Sequence, residues 1–144
     1  MNAVPAAVAG AAVFTWLGMV LAISFLEAPL KFRAPGVTVA LGLGIGRLVF
    51  RALNIAEAVL ATAVVAAVAV GSPGAAIVTL TAVAVVLLVV QLAAVRPVLN
   101  RRSDRILAGE QAPRSRAHHA YIALELLKVI ALVALGVTVL ASAA

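Results

Sequence analysis

The sequence predicts an all-α integral membrane protein, a bundle of four transmembrane helices forming one domain over residues 1–144. Three observations predict it. Of the 144 residues, 65% are hydrophobic and only 11% charged, with a mean hydropathy of +1.21, whereas a soluble domain is roughly half apolar and a quarter charged. Residues 1–26, 58–95 and 129–144 carry no charged side chain. The basic residues gather at only two places along the chain. This composition excludes a disordered chain and a collagen. The absence of Cys excludes a disulfide scaffold, thiol catalysis, iron–sulfur clusters and thiolate zinc sites.

Each helix follows from the length a bilayer demands, about 20 mostly apolar residues. The first is expected over residues 7–30. It lacks the basic leading segment of a secretory signal and its apolar run is too long for one, so it is expected to be retained. Residues 58–95 are too long for one span, and Gly71-Ser72-Pro73-Gly74 divides them. The second and third helices are therefore expected over 46–70 and 75–98, and the fourth over 117–141. A barrel is disfavoured because the Ala, Val and Leu runs lack period-two alternation.

Two connections remain. Residues 34–46 are uncharged but hold Pro35, Gly36, Gly42, Gly44 and Gly46. They lie in the interface, dip back into the bundle, or extend the second helix. The glycine spacing resembles a phosphate loop only superficially, since no Lys-Ser/Thr follows and no strand precedes. Residues 99–116 are hydrophilic and suit either a flexible loop or a short amphipathic surface helix.

The charges orient the chain. Lys31, Arg33, Arg47 and Arg51 flank the first connection; Arg96, Arg101, Arg102, Arg105, Arg114 and Arg116 flank the third. These are all the basic residues but Lys128. Basic residues flanking spans favour the cytoplasmic side, so both termini are expected on the non-cytoplasmic side. The net charge of +6 is then topological, and nucleic acid is not an expected partner. The expected location is the plasma or inner membrane.

The remaining polar residues form stripes. Helical residues advance about 100° each, so positions i, i+3, i+7 and i+10 share a broad face. His118, Tyr121, Glu125 and Lys128 share one in the fourth helix, and Arg47, Arg51, Asn54 and Glu57 share one in the second. Ser24, Glu27 and Lys31 line up in the first, while the third offers Gln91 before Arg96. Glu57 lies about 15 Å along its helix from Arg47, and Lys128 the same distance from His118. One charge at that depth costs at least ~2.5–3.5 kcal/mol on insertion scales. The expected pairings are Glu57–Lys128 or Glu125–Lys128, and Arg51 with Glu27 or Glu125. The candidate polar cluster is thus Glu27, Arg51, Asn54, Glu57, His118, Tyr121, Glu125 and Lys128. These groups either cement the bundle or line a pathway for a proton, ion or solute.

His118 and His119 are the only candidates for a metal or an axial haem ligand. Adjacent helical residues diverge by about 100°, so only one faces the bundle. No metal or cofactor is expected; both suit the membrane interface, where imidazole titrates near neutrality. Trp16 and Tyr121 are too few for an aromatic belt. Gly10, Gly18, Ala22 and many alanines allow close backbone approach. Four thin helices enclose little volume, so a homodimer or higher homo-oligomer is expected.

At an offset of 68 residues, Pro29 meets Pro97, Arg33 meets Arg101, Arg51 meets His119 and Glu57 meets Glu125. A parallel duplication of a two-helix hairpin explains this, as in some transporters. Chance in an Ala/Val-rich background is the alternative.

Trp16-Leu17-Gly18, Ser24-Phe25, Phe32-Arg33 ahead of Pro35, Arg96-Pro97 and His119 together resemble the transmembrane-protein-205-like family of small four-helix membrane proteins. These are short motifs of low individual specificity, spread over everything but the 71–74 hairpin. The resemblance implies a four-helix bundle and, loosely, a role in membrane transport or resistance to toxic compounds. The chain departs from that pattern at Glu57, Glu125 and Lys128. The function expected from all this is an oligomeric channel or transporter built on the Glu/Lys cluster. The alternative is a non-catalytic accessory subunit or assembly factor docking a larger membrane-protein partner. An intramembrane enzyme is weakest, because no catalytic set stands at convincing spacing.

Overall fold

Apolar runs this long, with no water to satisfy backbone groups, have the helix as their economical solution. The computed structural model describes residues 1–111 and 116–143. In it the chain is all-α, and four of its helices are long and apolar enough to cross a membrane: α1 (Ala3–Arg33), α2 (Val39–Gly71), α3 (Ala75–Leu107) and α4 (Arg116–Ala143). Every helix is longer than expected. At 33 residues, α2 and α3 reach roughly 50 Å, longer than the ~30 Å of hydrocarbon requires.

The connections account for the extra length. The second helix starts at Val39 rather than 46, so residues 39–46 extend it. Thr38 supplies the signal, its hydroxyl accepting from the Leu41 N–H at 3.2 Å. Gly42 and Gly46 are not loop residues. A Cβ on Gly42 would strike the Phe32 ring at 2.3 Å, and one on Gly46 would meet Lys31 Nζ at 3.0 Å. Residues 99–107 prolong α3 as one continuous helix to Leu107. Arg114 lies outside the described residues. The 71–74 hairpin is as expected, with Ser72 in the left-handed region at φ 49°.

Antiparallel neighbours arise directly from these short turns, and the Asn2 N–H donates to the Gly71 carbonyl at 3.4 Å across that end. Helix α1 packs chiefly on α2 and α4, and α3 chiefly on α4. This order leaves α2 and α4 diagonal to each other. Each buried seam is narrow and recurs every three or four residues: Leu53, Glu57, Ala61 and Val64 in α2; Ile77, Thr81, Ala84, Leu88 and Gln91 in α3; Tyr121, Glu125, Lys128, Leu132 and Leu135 in α4. That repeat is the mark of coiled-coil-like packing. The remaining faces hold exposed Val, Leu and Ile, Leu48 at 72% for instance. In water such surface is an aggregation hazard; in lipid it is at home.

Close approach falls at different glycines from those expected. Nothing lies within 4 Å of a Cβ on Gly18, and Gly10 would make ordinary contact with Val139. The tight crossing is at Gly136, where a Cβ would sit 2.7 Å from the Phe14 ring.

Two π-helical segments interrupt the regular turns, Leu21–Glu27 in α1 and Gln91–Val95 in α3. Their wider turn has a smaller angular step per residue, which moves the side chains beyond it off the regular stripe.

Candidate functional site

The polar groups of the four seams meet in one layer. Glu57 is 14 residues from the end of α2 at Gly71, so the layer lies about 21 Å from the hairpin end. The Lys128 ammonium, fully buried, is its centre. It donates to Glu57 Oε1 on the diagonal helix and to Gln91 Oε1 on α3 at 2.8 Å. It also pairs with Glu125 Oε2, three residues earlier on its own helix, at 2.9 Å. Both expected Glu–Lys contacts therefore form at once, and each carboxylate is 1% exposed.

Neutral donors complete both carboxylates. The Trp16 indole N–H donates to Glu57 Oε1 at 2.8 Å. Glu125 accepts from the Gln91 amide at 2.6 Å and from the Ser24 hydroxyl at 2.5 Å. The Tyr121 hydroxyl donates to Glu125 at 3.3 Å and accepts from Arg96 at 3.3 Å. The Arg96 guanidinium stacks 4.2 Å from the Phe50 ring centre and 4.9 Å from that of Tyr121. Such networks stabilise charge in a low-dielectric interior only when each member is satisfied.

The structure brings together four of the eight expected residues, namely Glu57, Tyr121, Glu125 and Lys128. Glu27, Arg51 and Asn54 stand apart. Glu27 pairs with Lys31 at 3.2 Å, the i,i+4 contact on its own helix. Arg51 is exposed, and Asn54 is only partly buried; neither joins the network. The expected pairing of Arg51 with Glu27 or Glu125 does not form. The π-helical segment, which ends at Glu27, explains part of this: it turns Ser24 toward α4 and leaves Glu27 beside Lys31. His118 is exposed and borders the cavity described below; its ring stands 6.1 Å from that of His119.

The expected cluster omitted Trp16, Ser24, Gln91 and Arg96, although Ser24 and Gln91 stood among the polar stripe residues. A signal existed for two of them. An indole N–H within an uncharged run must find an acceptor, and so must a lone Gln.

A cavity of about 470 Å³ opens among all four helices at the basic end and reaches Glu125. Phe25, Phe32, Phe50 and Leu99 supply its apolar wall, while Lys31, Arg47, Arg96 and Arg102 line it with positive charge. Toward the opposite end the bundle closes over Val13, Val64, Leu132, Leu135 and Val139, each at most 1% exposed. The site is thus an ionisable layer reached from one side only among the described residues.

No family model, no curated protein and no solved structure matches the chain. What the fold and site define is a class: a four-helix protein of membrane-spanning character with a buried Glu/Lys cluster.

Proposed function

We propose that the chain is a small transport protein, a channel or carrier whose buried carboxylates take up a proton or small cation from the cavity. The observation that carries this reading is that Glu125, at the inner end of the cavity, shares the single ammonium of Lys128 with Glu57. With both carboxylates ionised the three groups sum to −1; one proton or monovalent cation brings them to zero. In hydrocarbon that difference is large, so occupancy and the pairing of Lys128 are coupled. When Glu125 is neutralised, Lys128 rests on Glu57 alone. The apolar seal of Val13, Leu132 and Leu135 must then part for release on the far side.

The same proposal orients the molecule. Basic flanks put the cavity mouth in the cytoplasm and both termini outside, in the plasma or inner membrane. A duplicated hairpin is supported by the two π-helical segments, which precede Pro29 and Pro97 alike, and by the matched Glu57 and Glu125 around Lys128. The likeness of the Trp16, Phe32-Arg33 and Arg96-Pro97 motifs to transmembrane-protein-205-like proteins agrees with a transport role. Assembly as a homodimer or larger homo-oligomer supplies the exposed helix faces with partners.

Proteoliposomes carrying a pH or cation gradient test the reading. Wild-type flux should collapse in Glu125→Gln and Glu57→Gln while both variants remain monodisperse. Wild-type vesicles no leakier than protein-free ones, or flux unchanged in both variants, overturn it.

A further inference from the structure

Arg96 presents a problem that the bundle does not solve internally. Among the described residues its contacts are two ring faces and the Tyr121 hydroxyl, all neutral. Its Nε is buried with no hydrogen-bond partner. The residue as a whole is half-buried on the cavity wall, and a guanidinium partly withdrawn from water is stabilised when an anion meets it. The other lining charges are already answered: Glu27 holds Lys31, Asp104 holds Arg47, and Lys128 holds Glu125. Arg102 lies on the same wall. Arg96 is thus the lining cation whose described contacts are all neutral.

The rest of the wall is hydrocarbon and aromatic, from Phe25, Phe32, Leu43, Phe50 and Leu99. The volume, about 470 Å³, falls in the range of sites for small organic ligands, ~300–1,000 Å³. We infer that this cavity binds a single-chain amphiphilic anion, its carboxylate on Arg96 and its alkyl chain against Phe25, Phe32 and Leu99. Planar guanidinium suits a carboxylate because it offers two parallel N–H groups. Size favours one chain over the two of a phospholipid. The site shares its cavity with the transport reading but does not rest on it, since an anion binds at Arg96 whether or not anything crosses the seal.

The test uses the full chain in zwitterionic phosphatidylcholine nanodiscs, with labelled decanoate measured by equilibrium dialysis against empty nanodiscs. Decanoate should saturate near one per chain, and decanol, of equal length but uncharged, should bind about tenfold more weakly or worse. Arg96→Gln should weaken decanoate by a similar factor. Leu43→Trp, which fills the apolar wall and leaves Arg96 in place, should displace it too, so the result does not depend on one variant folding. Arg101→Gln, exposed and off the wall, should bind as wild type. Equal binding of decanol, or undiminished binding in both Arg96→Gln and Leu43→Trp, overturns the proposal. Occupancy by added phosphatidylglycerol with none by decanoate overturns the single-chain assignment. Proton or cation flux is a separate readout, so failure here and failure of the transport reading are distinguishable.

Discussion

Lys128 reaches across the diagonal of the bundle to Glu57, a residue 71 positions away in sequence and on a helix that α4 otherwise barely touches. The same ammonium is held by Glu125 one turn back along its own helix. One charge thus ties the two hairpins together at a depth where water cannot substitute for either partner.

Removing that charge should therefore be severe. Lys128→Met strands two carboxylates and is expected to destabilise by ~3–5 kcal/mol, the usual cost of breaking a buried ion pair from one side. Thermal unfolding in mild detergent measures it. The triple variant Lys128→Met, Glu57→Gln, Glu125→Gln should recover much of the loss, because no uncompensated charge remains. A single variant as stable as wild type would contradict the central role of Lys128.

Trp16 is the sole tryptophan and is fully buried, with its N–H on Glu57. Its fluorescence should resist quenching by acrylamide and by brominated lipid alike. Trp16→Phe stays aromatic but loses the donor and part of the ring volume, for an expected cost of at least about 1.5–3 kcal/mol, the loss of a hydrogen bond to a charged acceptor with a cavity added. Strong quenching by brominated lipid would place the indole on the outer face instead.

Gly136 is the tight point of the α1–α4 crossing. Gly136→Leu drives a side chain into Phe14 and should destabilise by at least ~1–3 kcal/mol, the cost of overpacking. Adding Phe14→Ala should return part of it. Gly18→Ala, where nothing lies within 4 Å, should be close to neutral. Equal penalties at both glycines would mean that the Phe14 contact does not decide, since helix propensity favours both substitutions.

The orientation has its own check. A periplasmic-type reporter fused after Ala144 should be active, and one inserted at Gly109 should be silent. The opposite pattern reverses the cavity mouth and the direction of access.

The sequence by itself determined the helical class, the number of long apolar helices, the hairpin at 71–74 and the concentration of polar chemistry around Glu57, Glu125 and Lys128. The reason is cost: a charge in hydrocarbon is so unfavourable that its mere presence, at helical spacing from others, marks the inner face. Apolar residues carry no such mark, because lipid-facing and core-facing Ala, Val and Leu are chemically alike. The tertiary structure alone decided which further groups joined the cluster, recruiting the neutral Trp16, Ser24 and Gln91 and the cationic Arg96 stack. It also excluded Glu27, Arg51 and Asn54, which a uniform angular step places on the same stripes. Helix phase is set by π-helical segments and by which seams interlock, and both are properties of packing between helices rather than of any one run of residues.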